Sequence, residues 1–238
     1  MIKSKFIKNS RVLLSDKCRR VMGSSRNGEI YELGLVNEFY KIVIKRNGSP
    51  VFIDVGANTG SFAFLPSFNK KMMCYAFEPN IGVFNILKEN IRLNDIEANV
   101  IPYNKGIWSR QKQMLLKVPI DKTDSGLSTF GANPTRFVYD GKPGAYEEQE
   151  VECITIDDFV EERGLMIDAI KVDTEGAELY VLKGAEGLLR KQKPFLLFEY
   201  DNKNTVQFGY ERDEIVYYLK DVGYTKFKVF KRSDMFAS

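Results

Sequence analysis

Residues Val51 to Gly60 read V-F-I-D-V-G-A-N-T-G, and the fold turns on this stretch. Val51, Phe52 and Ile53 are strand formers with little polar alternation, the pattern of a parallel strand covered on both faces. The strand runs into an acid, Asp54, and then into a turn whose glycines, Gly56 and Gly60, stand four residues apart. Gly56 lets the backbone approach a ligand without a Cβ in the way, and Gly60 is expected to open the following helix. The loop lacks the Lys-Ser/Thr ending of a triphosphate-binding loop, and an acid at the strand end would repel a pyrophosphate. A cationic or hydroxyl-rich ligand suits it better. An ordinary tight strand-to-helix turn would be written with the same letters.

Moving outward, Met73 to Phe77 (M-C-Y-A-F) is a second apolar run, and it ends in Glu78-Pro79, with Glu78 placed 24 positions after Asp54. In a dinucleotide-type half-fold an acid at this point accepts hydrogen bonds from both vicinal ribose hydroxyls. S-adenosylmethionine carries a sulfonium, an ammonium and a ribose, and so answers to both acids. Pro79 presets a helix start, and Val83, Phe84, Ile86, Leu87 and Ile91 give that helix one apolar face. Asn99 to Tyr103 is a short third strand that Pro102 pushes towards a sheet edge. Ala169 to Val172 is a fourth, ended by Asp173, after which Glu175-Gly176 is expected to begin a helix carrying Val181, Leu182, Ala185, Leu188 and Leu189. Phe195 to Glu199 is a fifth strand; Asp213 to Asp221 follows as a helix and Lys226 to Phe230 as the last strand. The alternation predicts an α/β, Rossmann-like, doubly wound and mostly parallel sheet. Between the third and fourth core strands the pattern changes to a β-rich insertion. There Met114 to Val118 and Val151 to Ile156 enclose a Gly, Ser, Thr, Asp and Pro-rich stretch from Asp121 to Gly144, long enough to be functional or disordered.

F-I-D-V-G-A-N-T-G at Phe52 to Gly60, F-E-P-N at Phe77 to Asn80, I-K-V-D-T-E-G-A-E at Ile170 to Glu178 and L-F-E at Leu197 to Glu199 together resemble the FkbM-like family of S-adenosylmethionine-dependent methyltransferases. The resemblance spans Glu32 to Gly223. It implies a class I methyltransferase type of sheet, S-adenosyl-L-methionine as cofactor, and O-methylation of a hydroxyl on a sugar, glycan or secondary metabolite. It also places Asn104, in Asn104-Lys105-Gly106, at the adenine end of the cofactor, where its amide can donate and accept on a purine edge; a plain Asn-Gly turn is the other reading. An insertion such as this one helps close the substrate site in the family, with a serine near Ser128 facing the cofactor.

With 35 basic and 32 acidic side chains the net charge is +3, so the chain as a whole is no polyanion-binding surface and no nucleic-acid partner is expected. Cys18, Cys74 and Cys153 are far apart and form no Cys-x-x-Cys pair, which argues against a zinc site or disulfide framework and for a reducing cytoplasm. The first residues interrupt their apolar groups too often for a signal-peptide core, and no run of about 18 apolar residues is present to insert stably in a membrane. Residues 1–28 hold eight Lys or Arg against Asp16 alone, and read as a basic arm that either approaches an anionic surface or is merely solvated. Residues 29–238 read as one domain. Its opening helix, Ile30 to Ile44, carries Tyr31, Phe39 and Tyr40, which either roof the cofactor or pack in the core. Trp108 is expected in the core, and Asp157 and Asp158 as helix-starting acids.

Methyl transfer to a hydroxyl requires an aligned acceptor oxygen and a group to take its proton. Asp54, Gly56, Ala57, Asn58, Gly60, Glu78 and Asn104 form the candidate cofactor site, with Asp54 on the sulfonium and ammonium side. The chain has no histidine, so the candidate bases are carboxylates: Asp173 first, then Glu175 and Glu199, with Lys171 behind them. Helix-start and solvent-facing roles stand as the alternatives for Glu175 and Lys171. A metal-assisted variant would use Asp173 with Asp201 and Asn202 as oxygen ligands; the expectation here is a reaction without metal. An N-methyltransferase and a non-catalytic nucleotide-binding module remain the competing functions. The Asn/Asp-Pro-Pro-aromatic element of DNA amino-methyltransferases is absent after the fourth strand, and so is the Gly-x-Gly-x-x-Gly turn of nicotinamide enzymes.

Overall fold

The computed structural model describes residues 33–46, 48–120, 127–131, 145–230 and 233–238, and the backbone of 2–5, 11–14, 138–139 and 142–143. Cys18, Tyr31, Glu32, most of the basic arm and most of residues 121–144, including Ser125 and Gly126, lie outside the described residues. Within the arm, β1 (Ile2–Lys5) pairs antiparallel with β2 (Arg11–Leu14). Then come α1 (Leu33–Arg46), β3 (Val51–Val55), β4 (Met73–Phe77), α2 (Ile81–Leu93), β5 (Val100–Tyr103), β6 (Gly106–Ile107), β7 (Lys112–Pro119), β8 (Val138–Tyr139), β9 (Lys142–Pro143) and β10 (Tyr146–Ile154). The C-terminal part comprises α3 (Ile156–Arg163), β11 (Ala169–Val172), α4 (Glu178–Lys183), α5 (Glu186–Gln192), β12 (Phe195–Glu199), α6 (Asn202–Thr205), α7 (Asp213–Asp221), β13 (Phe227–Phe230) and β14 (Asp234–Ala237).

Seven strands form the central sheet in the order β13-β14-β12-β11-β3-β4-β5, with β12, β11, β3, β4 and β5 parallel and β14 antiparallel to both its neighbours. Strand order reverses between β3 and β11, so their carboxyl ends open a crevice at the switch point. β5 is an edge strand, where Pro102 removes no ladder hydrogen bond that a central strand would need.

The period of two along each strand sorts the side chains to two faces. Ile53, Val55, Phe77, Ile170, Val172, Leu196 and Phe198 join a core with α3, α4, α5 and α7. Phe52, Cys74, Ala76, Ala169, Phe195 and Leu197 join the opposite core with α1 and α2. Asp54 and Lys171 therefore point to the α1 side, and they are register partners on adjacent strands. On that side Phe39 of α1 is fully buried, its ring 5.8 Å from Phe52 and 5.5 Å from Phe62, which makes it a core residue and not a cofactor roof. Trp108 is buried under the β7–β10 hairpin and stacks on Tyr180 at 4.5 Å.

Three expectations are corrected, and a fourth is extended. Gly60 does not open an α-helix. The chain continues through turns to a single 3-10 turn at Leu65–Ser67, where Pro66 supplies no N–H to an α-helical ladder. No helix begins at Glu175-Gly176 either. Glu175 (φ +54°) and Gly176 (φ +105°) are both left-handed, and α4 starts only at Glu178. The strand at Phe227–Phe230 is not the last, since β14 returns between it and β12. Asp157 does more than start a helix: its carboxylate accepts from the backbone N–H groups of Gly187 and Leu188 at 2.8 Å each, capping α5.

Gly56 shows why the switch point is built as it is. Its φ is +72°, and a Cβ there would lie 1.8 Å from the carbonyl oxygen of Asp173. The close approach is thus to the end of β11, which draws the glycine loop and the fourth core strand into contact. Gly56→Ala should destabilise the fold by roughly 2 kcal/mol from left-handed strain and overpacking together. Equilibrium denaturation of the variant checks this; a wild-type midpoint would show that the two strand ends can part freely.

Candidate active site

The glycine loop is tied to β4 by backbone bonds: Gly56 N–H and Ala57 N–H both donate to the Phe77 carbonyl, at 3.0 and 2.9 Å. Asn58 adopts a left-handed conformation (φ +51°), which asparagine tolerates better than most residues. Its N–H donates to Glu78 Oε2 at 2.9 Å, while Asn80 N–H donates to Glu78 Oε1 at 2.9 Å. Glu78 is buried, and burial pushes its carboxyl up to about 7 in spite of these two donors. Asn80, which follows it, caps α2 through Oδ1 and reaches Ser128 Oγ with Nδ2 at 3.0 Å. Asn104 Nδ2 donates to the carbonyls of Glu78 and Pro79, both at 2.9 Å, so its amide nitrogen is committed to joining β5 to β4. Gly56, Ala57, Asn58, Glu78 and Asn104 thus meet at one end of the sheet. Gly60 sits farther in, packed on Leu87 and Phe64.

Asp54 lies beneath this loop, with no exposed surface. Lys171 Nζ stands 3.3 Å from Asp54 Oδ1 and 3.6 Å from Asp173 Oδ2, and it donates to the Gly56 carbonyl at 2.7 Å. Burial pushes the Asp54 carboxyl upward, with Lys171 the largest opposing influence. Lys171 is itself buried. A solvent-facing Lys171 is therefore not what the chain builds: one ammonium links the buried acid, the loop backbone and the rim acid. Breaking such a buried pair from one side leaves an uncompensated charge.

Asp173 is partly open, its side chain 38% exposed. Its backbone N–H donates to the Val55 carbonyl at 3.1 Å, across the switch point. Beyond it Glu178 organises the D-T-E-G turn from inside: Oε1 accepts from Thr174 N–H at 2.8 Å, Thr174 Oγ1 at 2.9 Å and Gly176 N–H at 3.2 Å. Burial raises Glu178 as well. Glu199 ends β12, and Asn204 Nδ2 donates to both of its oxygens at 2.9 Å and to Glu175 Oε2 at 3.0 Å. Burial, then the nearby Glu178, Asp173 and Glu175, push Glu199 well above the usual carboxylate range. Leu35, Phe62, Lys171, Asp173, Glu199 and Asp234 line a tight crevice over β11 and β12 that has no room for a water molecule.

Asp201 Oδ1 accepts from Lys203 N–H at 2.9 Å and Asn202 Oδ1 from Arg212 N–H at 2.9 Å, so both serve local turns. Among the described residues no three of His, Cys, Asp and Glu are grouped to hold a metal ion, and no helix is long and apolar enough to cross a membrane. Sequence reading missed Asn204 and the structural role of Glu178. Glu178 stood in the quoted motif, whereas nothing in the letters around Asn204 marks it.

The comparisons with known proteins agree with this architecture. Methyltransferase sdnD of Sordaria araneosa is 30% identical over 160 residues, covering 58% of this chain and 61% of that protein. Hexuronic acid methyltransferase AglP of Haloferax volcanii is 31% identical over 141 residues, covering 59% of this chain and 52% of that protein. The chain thus spans about half to three-fifths of the length of these curated relatives. The crystal structure of methyltransferase FkbM from Methylobacillus flagellatus shares the fold at 18% identity and a TM-score of 0.54, covering 84% of this chain and 48% of that one. The family model described as the methyltransferase FkbM domain matches residues 54–226, from the buried acid of β3 to the start of β13, and the chain belongs to that family.

Proposed function

We propose that this chain is an S-adenosylmethionine-dependent methyltransferase that methylates a hydroxyl of a sugar, glycan or secondary metabolite. The observation that carries the reading is the join at the switch point, where the glycine loop abuts the Asp173 carbonyl and a buried lysine shares Asp54 with Asp173. Cofactor-binding and acceptor-facing groups are thereby held in one rigid unit, as alignment of two reactants requires.

The residues present suit the cofactor. Glu78 offers a carboxylate at the ribose position, and Asn58 Oδ1 is buried in the loop with no hydrogen-bond partner among the described residues, an acceptor awaiting a donor. Gly56, Ala57, Asn58 and Gly60 would cradle the aminoacyl part, Asn104 would stand at the adenine, and Asp54 would place negative charge behind the sulfonium side. When bound, S-adenosylmethionine supplies a methyl group on positive sulfur that departs to leave a neutral thioether. Asp173 orients the acceptor hydroxyl and receives its proton as the oxygen–carbon bond forms. Proton transfer follows late in the displacement, once the attacking oxygen has become strongly acidic. Ser128, hydrogen-bonded to Asn80, brings the described part of the insertion against the ribose end.

Incubation with S-adenosylmethionine and a panel of hydroxylated acceptors should release S-adenosylhomocysteine and add 14 mass units to the product at oxygen, about the mass of one CH₂. Products methylated only on nitrogen would replace the oxygen acceptor with an amine. Binding without release for every acceptor would favour a non-catalytic module.

A further inference from the structure

The acceptor side of the site is well supplied with hydrogen-bond acceptors and short of donors. Asp173, Glu199 and Asp234 line the crevice over β11 and β12, and Glu199 and Asp234 are register partners on neighbouring strands. Glu175 is drawn to the same place by Asn204, whose Nδ2 donates to Glu175 Oε2 at 3.0 Å and to both oxygens of Glu199 at 2.9 Å. Carboxyl groups from the end of β11, the D-T-E-G turn, β12 and β14 thus converge.

The donors nearby are already engaged inside the protein. Lys171, the one cation lining that crevice among the described residues, is shared by Asp54, Asp173 and the Gly56 carbonyl. Thr174 N–H and Gly176 N–H serve Glu178. Gln207 Nε2 and Thr129 Oγ1 donate to the Glu175 carbonyl, at 3.3 and 3.4 Å. What remains are oxygens. Asn204 is fully buried and its Oδ1 has no hydrogen-bond partner among the described residues; neither has Gln207 Oε1. Both amides are oriented by what their nitrogens meet, since a flip would set oxygen against a carboxylate or a carbonyl. Buried acceptors in this state call for an occupant that brings hydrogens.

Charge points the same way. Positive charge develops on an attacking hydroxyl oxygen until its proton leaves, and fixed carboxylates around it favour that charge. An anionic group on the acceptor would instead face the acids across a crevice too tight for water. A proton kept on Glu199 removes one charge from the rim, and Asp173 and Glu175 still set its sign. We infer that the acceptor is a donor-rich compound without negative charge, a polyol or amino sugar whose hydroxyl or ammonium hydrogens meet the oxygens around Asp173, and that the rim rejects sugars bearing carboxylate, phosphate or sulfate. This names the substrate class of the site and rests on the methyltransferase reading.

The test needs no knowledge of the acceptor. Cofactor analogues are made with nitrogen in place of the sulfonium sulfur and, in place of the methyl, a short alkyl arm ending in a hydroxyl, an ammonium or a carboxylate, so that the arm enters the acceptor side. Calorimetry on the wild-type chain measures each relative to S-adenosylhomocysteine. The carboxylate arm should bind roughly tenfold or more weakly than the hydroxyl arm at low ionic strength, and the ammonium arm at least as tightly as the hydroxyl arm. Added salt and Glu175→Gln should each narrow the gap between carboxylate and hydroxyl. Equal affinities for these two arms, or a preference for the carboxylate, would overturn the inference and leave the cofactor reading in place. So would refusal of every arm by a chain that binds S-adenosylhomocysteine, or a gap that neither salt nor Glu175→Gln narrows. The comparison of arms stands on wild type alone if Glu175→Gln fails to fold. Failure of S-adenosylhomocysteine itself to bind would remove the methyltransferase reading, and the inference with it.

Discussion

Asp173→Asn is expected to lower the single-turnover methylation rate roughly 100-fold or more while leaving cofactor affinity within about twofold of wild type. The separation follows from where the residue's contacts lie. Its backbone braces the glycine loop, through the N–H bond to Val55 and the carbonyl packed on Gly56, and none of that changes with the side chain. Its carboxylate is partly open, with 38% of the side chain exposed, and on the proposed reading it meets the acceptor. Asparagine keeps the size and one acceptor oxygen but cannot take a proton, so binding survives and the chemical step slows. The substitution also relieves Lys171 of one partner, yet Asp54 remains at 3.3 Å to hold it. Retained wild-type turnover would make Asp173 a structural acid. Abolition of activity by EDTA with recovery on adding magnesium would instead make it a metal ligand.

The parallel sheet and the acids along its carboxyl edge were legible because they are written in local runs. V-F-I-D-V and F-L-L-F-E can be little else than buried strands, and the acids that close them fall at the carboxyl edge by geometry alone. Pro102 announced an edge strand for the same local reason. What the letters concealed were pairings across the chain. The close packing of Gly56 on the Asp173 carbonyl, 117 positions away, is one such pairing. Lys171 in A-I-K-V gave no sign of Asp54, because register between β3 and β11 is a property of the folded sheet. The D-T-E-G turn was misread as a helix start because Glu175 is a good helix former. Tertiary contact with Asn204 and the internal bonds to Glu178 hold it left-handed instead. β14 was missed because D-M-F-A is four residues with no period to read.

Glu78→Ala should weaken S-adenosylmethionine binding by about 3 to 6 kcal/mol, from two charge-assisted bonds of about 1.5 to 3 kcal/mol each. The wild-type affinity should itself depend on pH with a defined sign. In the unliganded protein Glu78 is raised from 4.5 to about 7, so between these values the folded chain holds a proton that the unfolded chain has released. Its contribution to stability is therefore greatest below pH 4.5 and declines as pH rises through 7. Ribose hydroxyls donating to the carboxylate favour the ionised form and draw the group back down. Binding below pH 7 must then expel a proton, and affinity should fall by up to about tenfold for each pH unit lowered. Calorimetry at pH 6 in two buffers of different ionisation enthalpy should report close to one proton released per cofactor bound. Glu78→Gln cannot release it, so its weaker affinity should be flat across the same range. Equal proton counts in wild type and Glu78→Gln, or an undiminished affinity in Glu78→Ala, would take Glu78 away from the ribose and leave it as the brace between the Asn58 and Asn80 backbone amides.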